Sequence, residues 1–397
     1  MAETPPPEAL CIVVSIANLR RIEHAYGVPT ALAVRRTLQD RARKVCESSR
    51  GVATMSGDHI LFVFDAPPRR LESDDGAALH VTRLMDDILS ALADRPVEIA
   101  GATLFLAVST SVAPFTDEPF DIESFGENET LAAPGGRAWR ERFIADMAIA
   151  QDLLDALFAE QLGLEWEPVR DADGDGTVHY YEALLCNMTS AQPRRVGRDV
   201  PVLERLGLVR RLDRWVVEST IEALRLNPHI CLGCNVSAHS VKLDIWWALT
   251  VETLAAEPDI ASRLVIEITE SAPLPDMELV REFVRSLQAL GCRIALDDVG
   301  AGHSSLKALL ELGVDVVKID AVYVRQARRD TAGATRLLQL VNLARNCAPH
   351  VVLEGIETEE DAALSRASGA TGLQGYLYPK TQFRNLVSPV ERRLKSE

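Results

Sequence analysis

Residues 292–298 read CRIALDD, an apolar run that closes on the adjacent carboxylates of Asp297 and Asp298. The pattern recurs along the C-terminal part of the chain: ICLGCN reaches Asn235, RLVIE Glu267, VDVVK Lys318, HVVLE Glu354 and ATGLQ Gln374. Short continuous apolar runs of this kind suit strands covered on both faces. Helix-period stretches lie between them. In residues 276–290, Val280, Phe283, Val284 and Leu287 form one face, and Gly291 follows where a helix would end. Strand–helix units repeated in this way predict a parallel sheet, and their number predicts a (β/α)8 TIM-like barrel. A barrel gathers the C-terminal ends of its strands on one face, so the polar residues that close the runs converge there.

Glu182, at the end of the extended segment TVHYYE, joins Glu267, Asp297, Asp298 and Glu354 in that mouth. Carboxylates at short range raise each other's pKa unless a cation neutralises them. Oxygen ligands of this type, with the Asn235 amide carbonyl, suit hard divalent cations such as Mg²⁺ or Mn²⁺. Two such ions clamp a phosphodiester and generate a nucleophile from water. Lys318, facing the acids, orients that water or stabilises charge developing on phosphorus. Any one of these residues alone reads as a strand-end group facing solvent. Their repetition at matching positions is what singles out a site.

These residues also carry a resemblance. Tyr181-Glu182-Ala183-Leu184-Leu185 is similar to the EAL signature, and the motifs that follow keep that family's order. They are NVSA at Asn235, IEITE with Glu267 and Glu270, DDVGAGHSS from Asp297, KID at Lys318, EGIET at Glu354 and LQGYLY at Gln374. The resemblance implies a modified TIM barrel that opens cyclic di-GMP to linear pGpG with two ions of Mg²⁺ or Mn²⁺. It implies Glu182, Asn235, Glu267, Asp297, Asp298 and Glu354 as metal ligands. Lys318, Glu354 and Glu270 would be the catalytic group, with Glu270 steadying the loop after Asp298. Gln374, Leu184 and Cys186 would line the substrate. A homodimer through the barrel and an unidentified protein partner complete the implied set of contacts.

The chain departs from the family's pattern at three places. The family has an arginine on a substrate phosphate where this chain has Cys186. A neutral thiol there forgoes a charge-assisted contact of about 1.5–3 kcal/mol, or about one to two decades of affinity or rate. Val299 and His303 replace a phenylalanine and a tyrosine of the loop through which the family couples dimerisation to metal binding. The alternative readings are a catalytically silent cyclic di-GMP receptor and a protein-interaction module.

The N-terminal part alternates strand and helix patterns: CIVVSI at 11–16, a helix over 31–45, GDHILFVF at 57–64 and a helix over 81–92. It resembles a degenerate GGDEF-like α/β sandwich. LRRIEHAYG at 19–27 matches the stretch before the motif, and Ser56-Gly57-Asp58-His59-Ile60 stands at the motif itself. Ser15, Glu23 and Leu32 occupy positions where that family binds metal and guanine, so cyclase activity is not expected. The organisation read from the chain is therefore residues 1–118 as this domain, 119–139 as a polar Gly/Pro-rich linker and 140–397 as the EAL barrel. Residues 99–116 lack any charge, but Thr103, Ser109, Thr110, Ser111 and Pro114 make a buried strand the better reading than a membrane span.

Bulk properties agree with a globular protein. The 397 residues carry a formal net charge of −16, which argues against a nucleic acid polymer as partner. Seven cysteines without framework spacing, and no basic or apolar leader in the first ten residues, predict reduced thiols in a cytoplasmic location. Asp171, Asp173, Asp175, Gly176 and Glu182 fit a calcium-loop spacing, but both flanks look extended, so a hairpin turn is expected. Cys231 and Cys234 lie in a strand with no second pair, and read as core thiols. Arg194-Arg195 with Arg198, and Arg210-Arg211 with Arg214, read as cations covering helix faces.

Overall fold

Period-two alternation builds the first sheet. In the strand His59–Phe64, Ile60, Phe62 and Phe64 are buried while their neighbours are half-exposed. The computed structural model describes residues 9–49, 51–64, 74–113, 135–174, 176–189, 193–269, 272–274, 276–300 and 306–380. Glu270, His303, Asp175 and residues 119–134 of the expected linker lie outside the described residues. The chain divides into two compact units, residues 1–153 with 205–208, and residues 154–204 with 209–397.

The first unit holds β1 (Leu10–Ile16), β2 (Gly51–Ser56), β3 (His59–Phe64), β4 (Val97–Ile99), β5 (Ala102–Leu104) and β6 (Val108–Ala113). Four of them form an antiparallel sheet in the order β2-β3-β1-β6. The helix Val28–Ser49 buries Ala31, Val34, Leu38, Ala42 and Cys46, a spacing that makes one continuous apolar stripe. One expectation is corrected here, and one strand is added. Residues 99–116 are not one strand: Ala100 and Gly101 adopt positive φ and turn the chain into the β4–β5 hairpin before β6 begins. The strand β2, whose exposed positions are Val52, Thr54 and Ser56, adds an edge to the sheet ahead of Gly57-Asp58.

The second unit contains β7 (Leu162–Asp171), β8 (Val178–Asn187), β9 (Arg194–Arg195), β10 (Leu232–Ser237), β11 (Leu264–Thr269), β12 (Arg293–Val299), β13 (Val316–Ile319), β14 (His350–Leu353) and β15 (Gly372–Leu373). They form a nine-stranded sheet that closes on itself through β10 and β8, leaving β9 outside a ring of eight. The strands from β8 through β10 to β15 run parallel, whereas β7 is antiparallel to both β8 and β15. A uniform parallel sheet is thus corrected to a barrel with one reversed strand. The reversal follows from the short connection between Asp171 and Val178, which has too few residues for the helical crossover a parallel pair needs. Arg194 and Arg195 stand on β9 and not on a helix face. Among the described residues no helix is long and apolar enough to cross a membrane.

Candidate active site

Tyr180, Val265, Ala295, Val316 and Val352 pack with Val169 into one buried layer inside the barrel. Two residues further along the chain from each of five of these stands a polar group: Glu182, Glu267, Asp297 and Lys318 on their strands and Glu354 directly after β14. Alternation projects i and i+2 to the same side, so a charged layer sits on an apolar floor. Gly233 plays the floor's part beneath Asn235. A Cβ there would lie 2.5 Å from Glu267 Oε1 and 2.7 Å from Tyr180 Cε2, so the close approach requires glycine. The apolar runs ended at these polar residues in the sequence, but β8, β11, β12 and β13 continue past theirs, while β14 ends at Leu353, just before Glu354. Glu267 is therefore fully buried within β11 and not at its end.

Lys318 is also fully buried, and its Nζ lies at the centre of the acids. It donates to Glu182 Oε2 at 2.9 Å and forms ion pairs with Glu267 Oε2 at 2.6 Å, Asp297 Oδ1 at 2.9 Å and Glu354 Oε1 at 2.9 Å. Asn235 Nδ2 donates to Glu182 Oε1 at 2.7 Å. Gln374 Nε2 donates to Glu182 Oε2 at 2.6 Å. Asp298 holds a positive φ of 55° where the β12–β13 register shifts, a bulge that leaves it exposed at the rim with a carboxylate oxygen still close to Asp297.

One ammonium cannot satisfy every carboxylate around it, and the pKa shifts record the shortfall. For Glu182 burial works to raise the pKa, but Lys318 and the hydrogen bonds from Gln374 and Asn235 outweigh it, and the value falls. For Glu267 and Glu354 burial wins and the pKa rises well above the carboxylate range. Burial also raises Asp297. Asp298 is pushed up to about 7 by desolvation and by Asp297. Burial acts to lower Lys318, but Asp297, Glu182, Glu267 and Glu354 raise it well above an ordinary lysine, so it stays charged.

The donor set fits divalent cations. Asn235 Oδ1 and Glu267 Oε1 are buried and find no hydrogen-bond partner, while Glu267 Oε2 and Asp297 Oδ1 meet only the shared Lys318 ammonium. Buried polar atoms left in this way are costly unless something else satisfies them. Glu182, Glu267 and Asp297 bring ligand oxygens within 4.8 Å of one another, and so do Asp297, Asp298 and Glu354. The two triads share Asp297.

The remaining expected residues are also located. Leu184 is half-buried, Gln374 and Cys186 are buried, and the Cys186 thiol is pushed up to about 11 by burial and by Glu165. It is a neutral group. β7 and β8 pair as the expected antiparallel hairpin, and at its turn Asp173 N donates to Asp171 Oδ1 at 2.7 Å. Glu182 does not serve that turn: it points into the barrel, bonded to Asn235, Lys318 and Gln374.

Some supporting residues escaped the sequence reading. Glu167, opposite Glu182 on β7, receives Gln374 Nε2 at 3.4 Å and Arg195 Nη2 at 2.6 Å. Behind Asn235, Ser237 N donates to Asp213 Oδ2 at 3.2 Å and Ser237 Oγ to Glu204 Oε1 at 2.7 Å. Ser240 Oγ donates to the same Asp213 oxygen at 2.6 Å. The available signal was a charge in an apolar setting: Glu167 between Trp166 and Pro168, and Asp213 on the buried face of the helix Val209–Leu226.

Comparison with known proteins places this geometry. The EAL domain family model matches residues 150–381. The Pseudomonas aeruginosa protein named cyclic di-GMP phosphodiesterase NbdA is 25% identical over 387 residues, covering 91% of this chain and 47% of that protein. The chain thus spans about half the length of that curated relative. Among solved structures, the PaMucR phosphodiesterase in complex with c-di-GMP is 27% identical with a TM-score of 0.54, over 60% of this chain and 100% of that one. The Vibrio cholerae LapD S helix-GGDEF-EAL structure bound to c-di-GMP shares the fold at 13% identity and a TM-score of 0.53, over 94% of this chain and 90% of that one.

Proposed function

The chain belongs to the EAL-domain family, and from that premise we propose that its barrel hydrolyses cyclic di-GMP to linear pGpG. The observation that carries this reading is the pair of carboxylate triads sharing Asp297 beside a buried, charged Lys318. Two ions of Mg²⁺ or Mn²⁺ would be held by Glu182, Asn235, Glu267, Asp297, Asp298 and Glu354. When bound, they would polarise the phosphodiester and lower the pKa of water.

The protein's own groups do the rest. Lys318 keeps a fixed positive charge where negative charge develops on phosphorus, and its surroundings prevent it from moving or losing its proton. Gln374 and Asn235 hold Glu182 from two sides, so its carboxylate needs little reorganisation during reaction. Glu354 stands with Lys318 as a catalytic group, and Gln374, Leu184 and Cys186 line the substrate. Glu270 keeps its proposed part in steadying the loop after Asp298.

We read the N-terminal unit as a degenerate GGDEF-like domain with a regulatory or dimerising part, the barrel forming the homodimer, in a cytoplasmic protein. The fold likeness to LapD extends over this unit and supports the reading. Asp58 pairs with Arg20 at 2.7 Å and with Arg35 at 3.4 Å, and Glu23 pairs with Arg35 at 3.3 Å. These acids are already matched by cations, which agrees with a domain that makes no dinucleotide.

The neutral Cys186 favours a second reading, a receptor that binds cyclic di-GMP without turnover. Calorimetry and chromatography together separate the two. Binding accompanied by pGpG supports the enzyme; stoichiometric binding without product supports the receptor.

A further inference from the structure

Cys186 and Arg195 face each other across the β8–β9 ladder. Directly opposed residues of an antiparallel pair project to the same side. Cys186 lies four residues beyond Glu182 on β8, so period two places both on the lumen side, and Arg195 with them. Arg195 is also wired to the carboxylate ring. Its Nη2 donates to Glu167 Oε2 at 2.6 Å, and Gln374 Nε2 links Glu167 Oε1 at 3.4 Å with Glu182 Oε2 at 2.6 Å.

The guanidinium is reachable from solvent where Lys318 is not. The Arg195 side chain is 37% exposed, against 9% for Glu167 and 0% for Lys318. Its Cζ lies 6.0 Å from the ring centre of Tyr376, a side chain at the same rim with 71% exposure. A dinucleotide bearing two phosphates that approaches a mouth lined with acids needs a cation before it reaches the ring. Glu167 uses one edge of the guanidinium fork and fixes its plane, leaving other N–H donors for a phosphate.

We propose that Arg195 contacts a phosphate of the cyclic dinucleotide at this rim, supplying from β9 the positive charge that Cys186 on β8 does not. The inference rests on the hydrolase reading above. It gives a ligand to an arginine that the sequence alone reads as a cation covering a helix face.

Steady-state kinetics of the full chain with cyclic di-GMP and Mn²⁺ test it, using wild type, Arg195→Ala, Arg195→Lys, Cys186→Arg and the double variant Arg195→Ala with Cys186→Arg. A charge-assisted contact predicts that Arg195→Ala raises KM about 10- to 100-fold with a much smaller change in kcat. Arg195→Lys should keep part of the affinity. Measured against Cys186→Arg alone, the double variant should lose less than about threefold in KM, because the introduced arginine then carries the phosphate charge, which a mere brace for Glu167 would not allow. If wild type turns over and Arg195→Ala stays within about threefold of its KM, the inference fails and the hydrolase reading stands. If wild type neither binds nor hydrolyses cyclic di-GMP, both fall.

Discussion

Lys318 Nζ meets Glu182 Oε2 at 2.9 Å although the two residues stand on β13 and β8, on opposite sides of the barrel ring. The lysine crosses the lumen, and the acids of the intervening strands close around its ammonium. Such an arrangement is costly in desolvation and useful only if its charges remain balanced.

Lys318→Met should abolish turnover and destabilise the protein by about 3–5 kcal/mol, because it leaves buried carboxylates without their ammonium. Guanidinium unfolding in the presence of EDTA measures this, and Mn²⁺ should restore part of the loss. A variant as stable as wild type in EDTA would contradict the account.

Glu267→Gln should act in the opposite direction on the metal-free protein. A carboxyl whose pKa is raised in the fold costs stability at every pH above its unfolded value. The neutral isostere removes that cost, so at pH 8 in EDTA the variant should melt at or above the wild-type temperature. Added Mn²⁺ should then raise its melting temperature less than that of wild type. An equal rise in both would remove Glu267 from the ligand set.

Asp213→Asn isolates a buried charge behind the site. Burial pushes Asp213 from 3.8 up to about 7, so ionisation is disfavoured in the fold. Wild-type stability from this group is therefore present at low pH and is lost as pH climbs from about 4 to about 7, with a slope of at most about 1.4 kcal/mol per unit. The amide oxygen of asparagine can still accept from Ser237 and Ser240. The stability gain of Asp213→Asn over wild type should grow between pH 5 and pH 7 and then level off. A gain independent of pH would show that the charge is not the cause.

Chelation should reveal how far the ring depends on cations. Adding EDTA to the protein as purified in Mn²⁺ should lower its melting temperature, since a ligand that binds only the native state stabilises it by mass action. Lys318 alone holding the acids together would leave the melting temperature unchanged.

The parts of the fold that the sequence disclosed are those with a physical period. Apolar runs ending at Asn235, Glu267, Asp297, Lys318 and Glu354 mark strands whose next side chain faces the lumen, and the barrel follows from their repetition. The features that stayed hidden are those that depend on closure. Glu167 looks like a stray charge until β7 pairs with β8, when it falls opposite Glu182. Arg195 sits on a strand two residues long, too short to leave any pattern. The left-handed φ of Asp298 and the turn at Ala100 are local conformations of ordinary residues, which composition does not announce.

The measurement that bears most directly on the central claim is the time course of pGpG from cyclic di-GMP, followed by chromatography in Mn²⁺ and again in EDTA. The account predicts product in Mn²⁺, none in EDTA, and none from Lys318→Met in either. Binding of cyclic di-GMP by wild type without any pGpG over hours in Mn²⁺ would contradict it.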